Sequence, residues 1–227
     1  DSAVTEIKRF TADASHELRT PLAALKLEAE LALRAERSPH QYQAALGVIV
    51  DETNRLCLLA DQLLTLSRED AGISEWMQER IPVHAILSDV IQQCQPMASR
   101  RSIALIANGI EECEVVGNDT RLRQVFLNLI ENALKFTNSK GSVWIRVEFQ
   151  NGVVVCSVRD TGPGIAPQDL PHVFNRFYRA DISRSCGAGG AGLGLSIVKN
   201  AITMHGGTIS AKSRKGGGLE FVFQLHK

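Results

Sequence analysis

Aromatic residues are scarce in this chain: Phe, Trp and Tyr make up only 5% of its 227 residues. A core short of large rings leans on Leu and Ala, which favours helix-rich packing. Cysteine pairs are missing as well. The five cysteines, Cys57, Cys94, Cys113, Cys156 and Cys186, contain no CxxC pair and are odd in number. That excludes a disulfide framework and a clustered structural zinc site, and points to free thiols in a reducing compartment. His40, His84, His172, His205 and His226 show no spacing suited to a shared metal either. No uninterrupted apolar stretch approaches the roughly 18 residues that span a bilayer. Net charge is absent: 25 Lys+Arg stand against 25 Asp+Glu, which argues against a protein that coats nucleic acid or anionic membrane. No signal peptide is visible, and the first residue is Asp1 rather than Met. The expectation is a piece of a longer chain.

What is present builds a core. The chain is 44% hydrophobic and 22% charged, and its length fits one or two domains of roughly 100–200 residues each. In the first third, Ile7, Phe10, Ala14, Leu18, Leu22, Leu25, Ala29 and Ala32 recur every three or four residues, which predicts a long helix. Leu46, Ile49, Thr53, Leu56, Ala60 and Leu63 predict a second, with a coiled-coil-like seam. Glu36–His40, punctuated by Pro39, is the only break, so the pair reads as an antiparallel hairpin. Two helices cannot bury a continuous seam alone, and dimerisation into a four-helix bundle is the economical solution. A monomeric hairpin folded against the rest of the chain is the alternative.

The periodicity stops after Leu66, and the polar stretch from Ser67 to Glu79, with Gly72, reads as a linker. The expected layout is a hairpin over 1–70, a linker over 71–79 and a second domain over 80–227. That domain mixes a strand at 81–83, a helix near 85–100, strands at 103–107 and 115–116, and a helix capped by Asp119 and ending at Phe136. Strands at 142–149 and 153–159 meet at Asn151-Gly152, a strong hairpin signal. A Gly-rich region at 161–192, a helix at 193–205 and a hairpin of 207–213 with 219–225 complete the order. Without regular βαβ alternation, the arrangement favours an α/β sandwich over a doubly wound sheet.

Four groups of residues suit chemistry. His16 points away from the seam flanked by Ala14 and Leu18, and neutral imidazole can act as a nucleophile near pH 7. Glu17 can fix its tautomer, Thr20 sits one turn later within reach of a water, and Pro21 predicts a kink. An ordinary exposed helical histidine is the competing reading. Asn128, Asn132 and Lys135 fall at i, i+4 and i+7 on one helix face, opposite Leu129, Ile130, Ala133 and Leu134. Two amide oxygens suit a hydrated Mg²⁺ bound to phosphates, and the lysine supplies phosphate charge; taken alone, a solvated polar face is the better explanation of the stripe. Asp160-Thr161-Gly162-Pro163-Gly164 follows a strand, where a buried carboxylate can accept the adenine amino proton and glycines admit a flat ring closely. A plain turn is its alternative. Gly187, Gly189 and Gly192 satisfy a GxGxxG pattern, but the polar stretch before them is no strand, so the Rossmann reading fails.

Ser15-His16-Glu17-Leu18-Arg19-Thr20-Pro21-Leu22 resembles the phosphoacceptor box of the sensor histidine kinases of two-component signalling, and later motifs resemble that family in order across nearly the whole chain. The resemblance implies a dimerising phosphotransfer hairpin followed by an ATP-binding domain of the gyrase/heat-shock/histidine-kinase type, using ATP and Mg²⁺. In these terms His16 is phosphorylated, Glu17 assists as base, and Thr20 supports phosphatase activity toward the partner. Asn128 and Asn132 hold the metal, Lys135 meets phosphate, and Asp160 with Gly162 and Gly164 reads adenine. Phe174-Asn175-Arg176-Phe177-Tyr178-Arg179 resembles the family's Phe box. Arg176 and Arg179 are there either phosphate ligands or surface cations. Gly190-Ala191-Gly192-Leu193-Gly194-Leu195 resembles a second glycine box whose amides face phosphate. The implied function is autophosphorylation of His16 and transfer to an Asp on a response-regulator receiver domain. A related ATP-gated conformational protein without phosphohistidine, and a non-catalytic scaffold, are the rivals. One departure stands out: Leu219, after Gly216-Gly217-Gly218, occupies a position where the family often has a small hydroxyl residue. Cys186 falls in the expected lid as a bystander thiol.

Overall fold

The structure, a computed structural model, describes residues 2–34, 36–70, 79–180, 190–214 and 217–226. The expected linker lies outside the described residues except for Glu79, as do Cys186, Gly187, Gly189 and Gly216. The chain divides into two compact units, Asp1–Ser74 and Glu75–Lys227.

The first unit is a helical hairpin of α1 (Ser2–Leu33) and α2 (Pro39–Asp70). Pro39 does not merely interrupt: it opens α2, where its missing N–H costs nothing. Ser38 caps that end reciprocally with Gln41. Gln41 N–H donates to Ser38 Oγ at 3.3 Å, and Ser38 N–H donates to Gln41 Oε1 at 2.9 Å, a capping box that sets where α2 starts. Across the turn, Arg37 reaches Glu28 at 3.4 Å. Helix α2 runs past Leu66 to Asp70, with Arg68 in its last turn, so polarity after Leu66 marks exposure rather than a helix end. Of the expected seam of α2, Ile49, Leu56 and Leu63 are half-buried within the single hairpin, and a neighbouring row packs more deeply. Ala45, Leu59 and Leu66 are buried, on the same heptad row as half-buried Glu52, whereas Leu46 is 57% exposed and Thr53 and Ala60 are exposed. The apolar surface is wider than a single seam: Leu22, Leu27, Leu31, Val50, Leu58 and Leu64 also face outward.

The second unit is a two-layer sandwich. Its strands are β1 (Glu79–Pro82), β2 (Ala104–Ile110), β3 (Glu114–Gly117), β4 (Ser142–Gln150), β5 (Val153–Asp160), β6 (Thr208–Ser213) and β7 (Leu219–His226). Its helices are α3 (Val83–Arg100), α4 (Asp119–Phe136) and α5 (Gly194–Met204). Strands β1 and β3 form a small antiparallel pair, and the main sheet runs β2-β4-β5-β7-β6. Among the described residues only β2 and β4 pair in parallel, so the sheet is mixed. Asn151 and Gly152 take φ of 52° and 83°, the left-handed pair that a two-residue hairpin between β4 and β5 demands.

Alternation puts Val143, Ile145 and Val147 of β4 and Val154, Cys156 and Val158 of β5 on one face, where they meet the helices in a single core. Helix α4 contributes Leu122, Val125, Phe126, Leu129, Ile130, Ala133 and Leu134; each large side chain so buried stabilises by about 1.5–3 kcal/mol. Phe126 packs on Phe223 of β7 with ring centres 5.5 Å apart. Asn118, not Asp119, caps α4: its backbone is extended and its Oδ1 accepts Arg121 N–H at 3.0 Å. Asp119 is the first helical residue and faces Arg123 at 3.8 Å. Cys57, Cys94 and Cys156 are free thiols, and burial pushes the Cys94 thiol pKa up to about 11, which keeps it unreactive.

Candidate functional site

In the second unit, three segments converge at the C-terminal half of α4. The 3.6-residue period that buries Leu129, Ile130, Ala133 and Leu134 leaves Asn128, Asn132 and Lys135 half-buried along the adjoining edge. Asn128 Nδ2 is fully withdrawn from solvent and has no hydrogen-bond partner. An unpaired buried amide costs about 1–3 kcal/mol, so this donor is placed for something not supplied by the fold. Glu131 lies on the same helix, and burial pushes its carboxyl pKa up.

The second segment is the end of β5. Asp160 is 5% exposed, and its Oδ1 accepts two main-chain bonds: from Gly162 at 2.7 Å and from Leu219 at 3.2 Å. Burial raises its pKa, while the two N–H donors pull it back toward ionisation. Gly162 lies against the end of α4, where a Cβ would stand 2.8 Å from the Phe136 carbonyl oxygen and 2.9 Å from Asp160 Oδ1. Gly164 lies near Ser213 and Gly218. Gly218 has φ of 94°, and a Cβ there would strike the Asp160 carbonyl, so only glycine lets β7 begin this close to Asp160.

The third segment leads into α5. Gly190 faces Lys135, whose Nζ would stand 3.0 Å from a Cβ at that position, and Gly194 faces Asn128 Oδ1 at 3.6 Å on the same construction. Gly192 accepts the Phe177 N–H at 3.0 Å, which joins this segment to the Phe box. Leu193 is buried and precedes α5, and no side chain caps the helix. Its first-turn amides are therefore open to an anion. Lys135, the bare glycine cradle and the uncapped amides suit phosphate, and the Asn128 and Asn132 oxygens suit a hydrated Mg²⁺.

In the Phe box, Phe174 packs edge-on against Phe221 at 6.1 Å, and Tyr178 OH donates to Asp169 Oδ1 at 2.6 Å. Arg176 and Arg179 are half-buried there. Sequence reasoning missed Asp169, Tyr178, the Leu219 amide and Arg101, which donates to the Lys135 carbonyl at 2.8 Å. An acid nine residues before a tyrosine was the faint signal for one pair; main-chain donors leave none.

His16, Glu17 and Thr20 belong to the first unit. His16 is exposed near the middle of α1 and Glu17 is half-buried. Among the described residues no hydrogen bond joins the Glu17 carboxyl to the His16 ring, because neighbours on a helix project about 100° apart. Thr20 lies one turn on, its Oγ1 3.5 Å from the His16 carbonyl. The helix continues through Pro21, which is buried.

A phosphoacceptor-type hairpin joined to a nucleotide-binding sandwich defines a class, and comparison with known proteins agrees. Residues 6–72 match the His Kinase A (phospho-acceptor) domain, and residues 117–227 match the histidine kinase-, DNA gyrase B- and HSP90-like ATPase domain. The chain belongs to the sensor histidine kinases of two-component systems. It is 36% identical to the sensor protein SphS of Synechococcus elongatus over 90% of this chain and 51% of that protein. It spans about half the length of such curated relatives. Among solved structures, full-length ShkA in complex with AMPPNP is 29% identical, with a TM-score of 0.70 over 94% of this chain and 44% of that one. Histidine kinase ThkA in complex with the response regulator TrrA shares the fold, at 23% identity and a TM-score of 0.79 over 100% of this chain and 63% of that one.

Proposed function

We propose that this chain is the kinase core of a sensor histidine kinase: it binds ATP between α4, the Asp160 turn and the start of α5, and phosphorylates His16. The observation that carries the reading is that the Asp160 turn, through Gly162, and the segment from Gly190 to Gly194 both come up against the C-terminal half of α4, beside the orphaned Asn128 amide and the uncapped start of α5. Asp160 accepts the adenine amino proton. Lys135 and the α5 amides hold phosphate oxygens, and Asn128 with Asn132 would hold Mg²⁺, which would supply neutralisation of the phosphate charge. A lone pair on His16 attacks the γ-phosphorus, a P–N bond forms, and the P–O bond to the β-phosphate breaks to release ADP. The proton on the second ring nitrogen leaves through an intervening water to Glu17, whose carboxyl does not itself touch the ring in this structure, so charge balances.

The phosphoryl group then passes to an aspartate on a response-regulator receiver domain, as the ThkA–TrrA assembly supports by likeness. The hairpin dimerises into a four-helix bundle through its outward leucines. Thr20 positions a water for the reverse, phosphatase, activity. The functional domains are residues 1–70 and 80–227, and the core is the cytoplasmic part of a membrane-attached sensor. Among the described residues no helix is long and apolar enough to cross a membrane. The test is autophosphorylation with labelled ATP. Wild-type chain should gain acid-labile label and His16→Gln should gain none; label persisting in that variant would refute the assignment.

A further inference from the structure

On the proposed reading, helices α4 and α5 carry the two halves of the phosphate side of the site, and they approach each other at both ends. At the cleft end, Gly194 faces Asn128 Oδ1. At the far end His205, directly after α5, is 9% exposed and bridges back to the start of α4. Asn118 N–H donates to His205 Nε2 at 3.1 Å, and His205 Nδ1 lies 2.7 Å from the Ala201 carbonyl. A nitrogen that accepts from an N–H must carry its lone pair, so the proton sits on Nδ1 and is donated to Ala201. The ring has room because residue 117 is glycine: a Cβ there would strike its Cδ2 and Nε2. Asn118 is also the N-cap of α4. His205 therefore grips the residue that fixes where α4 begins. From Leu193 to His205 is about 18 Å of helix, and from Asn118 to Asn128 about 15 Å, so the two contacts lie at opposite ends of an antiparallel pair of matched length.

We propose that His205 is a positioning residue for nucleotide binding: by holding Asn118 it fixes how far α5 slides along α4. That register sets the spacing between Asn128 and Asn132 on one helix and the first-turn amides of the other. The inference rests on the reading of this cleft as the ATP site. A histidine that only fills the core would weaken the fold whichever of its bonds is lost. A register pin depends on the Asn118 bond in particular.

Two substitutions separate the bonds. In His205→Gln, Oε1 reaches the Nε2 position and accepts from Asn118, while the bond to Ala201 is lost. In His205→Asn, Nδ2 reproduces the Nδ1 donor to Ala201 and leaves Asn118 N–H unpaired. Calorimetric titration of the whole chain with AMPPNP and Mg²⁺ should find His205→Gln within about twofold of wild type. His205→Asn should bind about fivefold or more weakly, the order expected for one lost hydrogen bond, although both variants melt lower. Equal affinity in the two variants, or weaker binding by His205→Gln, would overturn the inference alone. No binding by the unsubstituted chain would remove the ATP reading and this inference with it. Should His205→Asn fail to fold, hydrogen exchange in the wild-type chain decides: the Asn118 amide should exchange more slowly with AMPPNP and Mg²⁺ present, since coupling between sites is reciprocal. Exchange unaffected by the nucleotide would overturn the proposal.

Discussion

Asp160 concentrates the residue-scale argument, because its burial and its two main-chain donors act in opposite directions on the same carboxyl. An amide in its place can still accept from Gly162 and Leu219 but presents a donor toward the adenine amino group, which is itself a donor. We expect Asp160→Asn to bind AMPPNP at least about tenfold more weakly, one unpaired polar contact being worth about 1–3 kcal/mol. Calorimetry measures the affinity, and circular dichroism should show the fold retained. His205 offers a second residue-scale outcome. Burial holds its pKa below the ordinary histidine value of 6.5, and the neutral ring is the form that accepts from Asn118. The unfolded chain thus binds the proton more readily than the folded one. Its contribution is fully present above pH 6.5 and falls as pH drops below that value. Urea midpoints of wild type should decline from pH 7.5 to 5.5 by more than those of His205→Gln; parallel declines would contradict this.

At the scale of elements, helix α2 shows what a capping box does. Ser38 and Gln41 satisfy each other's amides at the point where Pro39 turns the chain into the helix. Ser38→Ala should cost about 1 kcal/mol, read as a lower thermal midpoint with unchanged helix content. The elements also show which signals a sequence carries. The Asn128–Asn132–Lys135 stripe was legible because a 3.6-residue period separates it from a fully apolar face. The cap of α4 was not: Asn118 and Asp119 are both good capping residues, and only the extended backbone of Asn118 decides between them. On α2 the sequence showed Ile49, Leu56 and Leu63 as packed positions but did not show that the row of Ala45, Leu59 and Leu66 packs inside one hairpin, because Leu46, Thr53 and Ala60 form a row almost as apolar. The Leu219 contact to Asp160 was invisible for another reason, since a main-chain N–H has no letter in the sequence. The His205–Asn118 bond joins residues 87 apart and required the tertiary fold.

For the whole molecule, the outward leucines of the hairpin make an oligomeric prediction. Leu27 is 57% and Leu31 38% exposed, one turn apart on α1. Replacing both with Glu should convert a dimer into a monomer by light scattering, with the second unit still binding AMPPNP. A wild-type monomer at micromolar concentration would contradict the four-helix reading. If the dimer holds, mixing His16→Gln and Asn132→Ala chains reports how transfer runs: recovered label means transfer between subunits, its absence transfer within one.

The bonds that orient Asp160 have a consequence for how this site changes over time. Both come from peptide N–H groups, at positions 162 and 219, and no non-proline substitution deletes a peptide N–H. The side chain at position 219 can therefore change without loosening the carboxylate. An inhibitor that addresses Asp160 would meet a target whose orientation cannot be edited by side-chain exchange. Escape would have to come through Gly162 or Gly218, where any side chain collides with Asp160 itself.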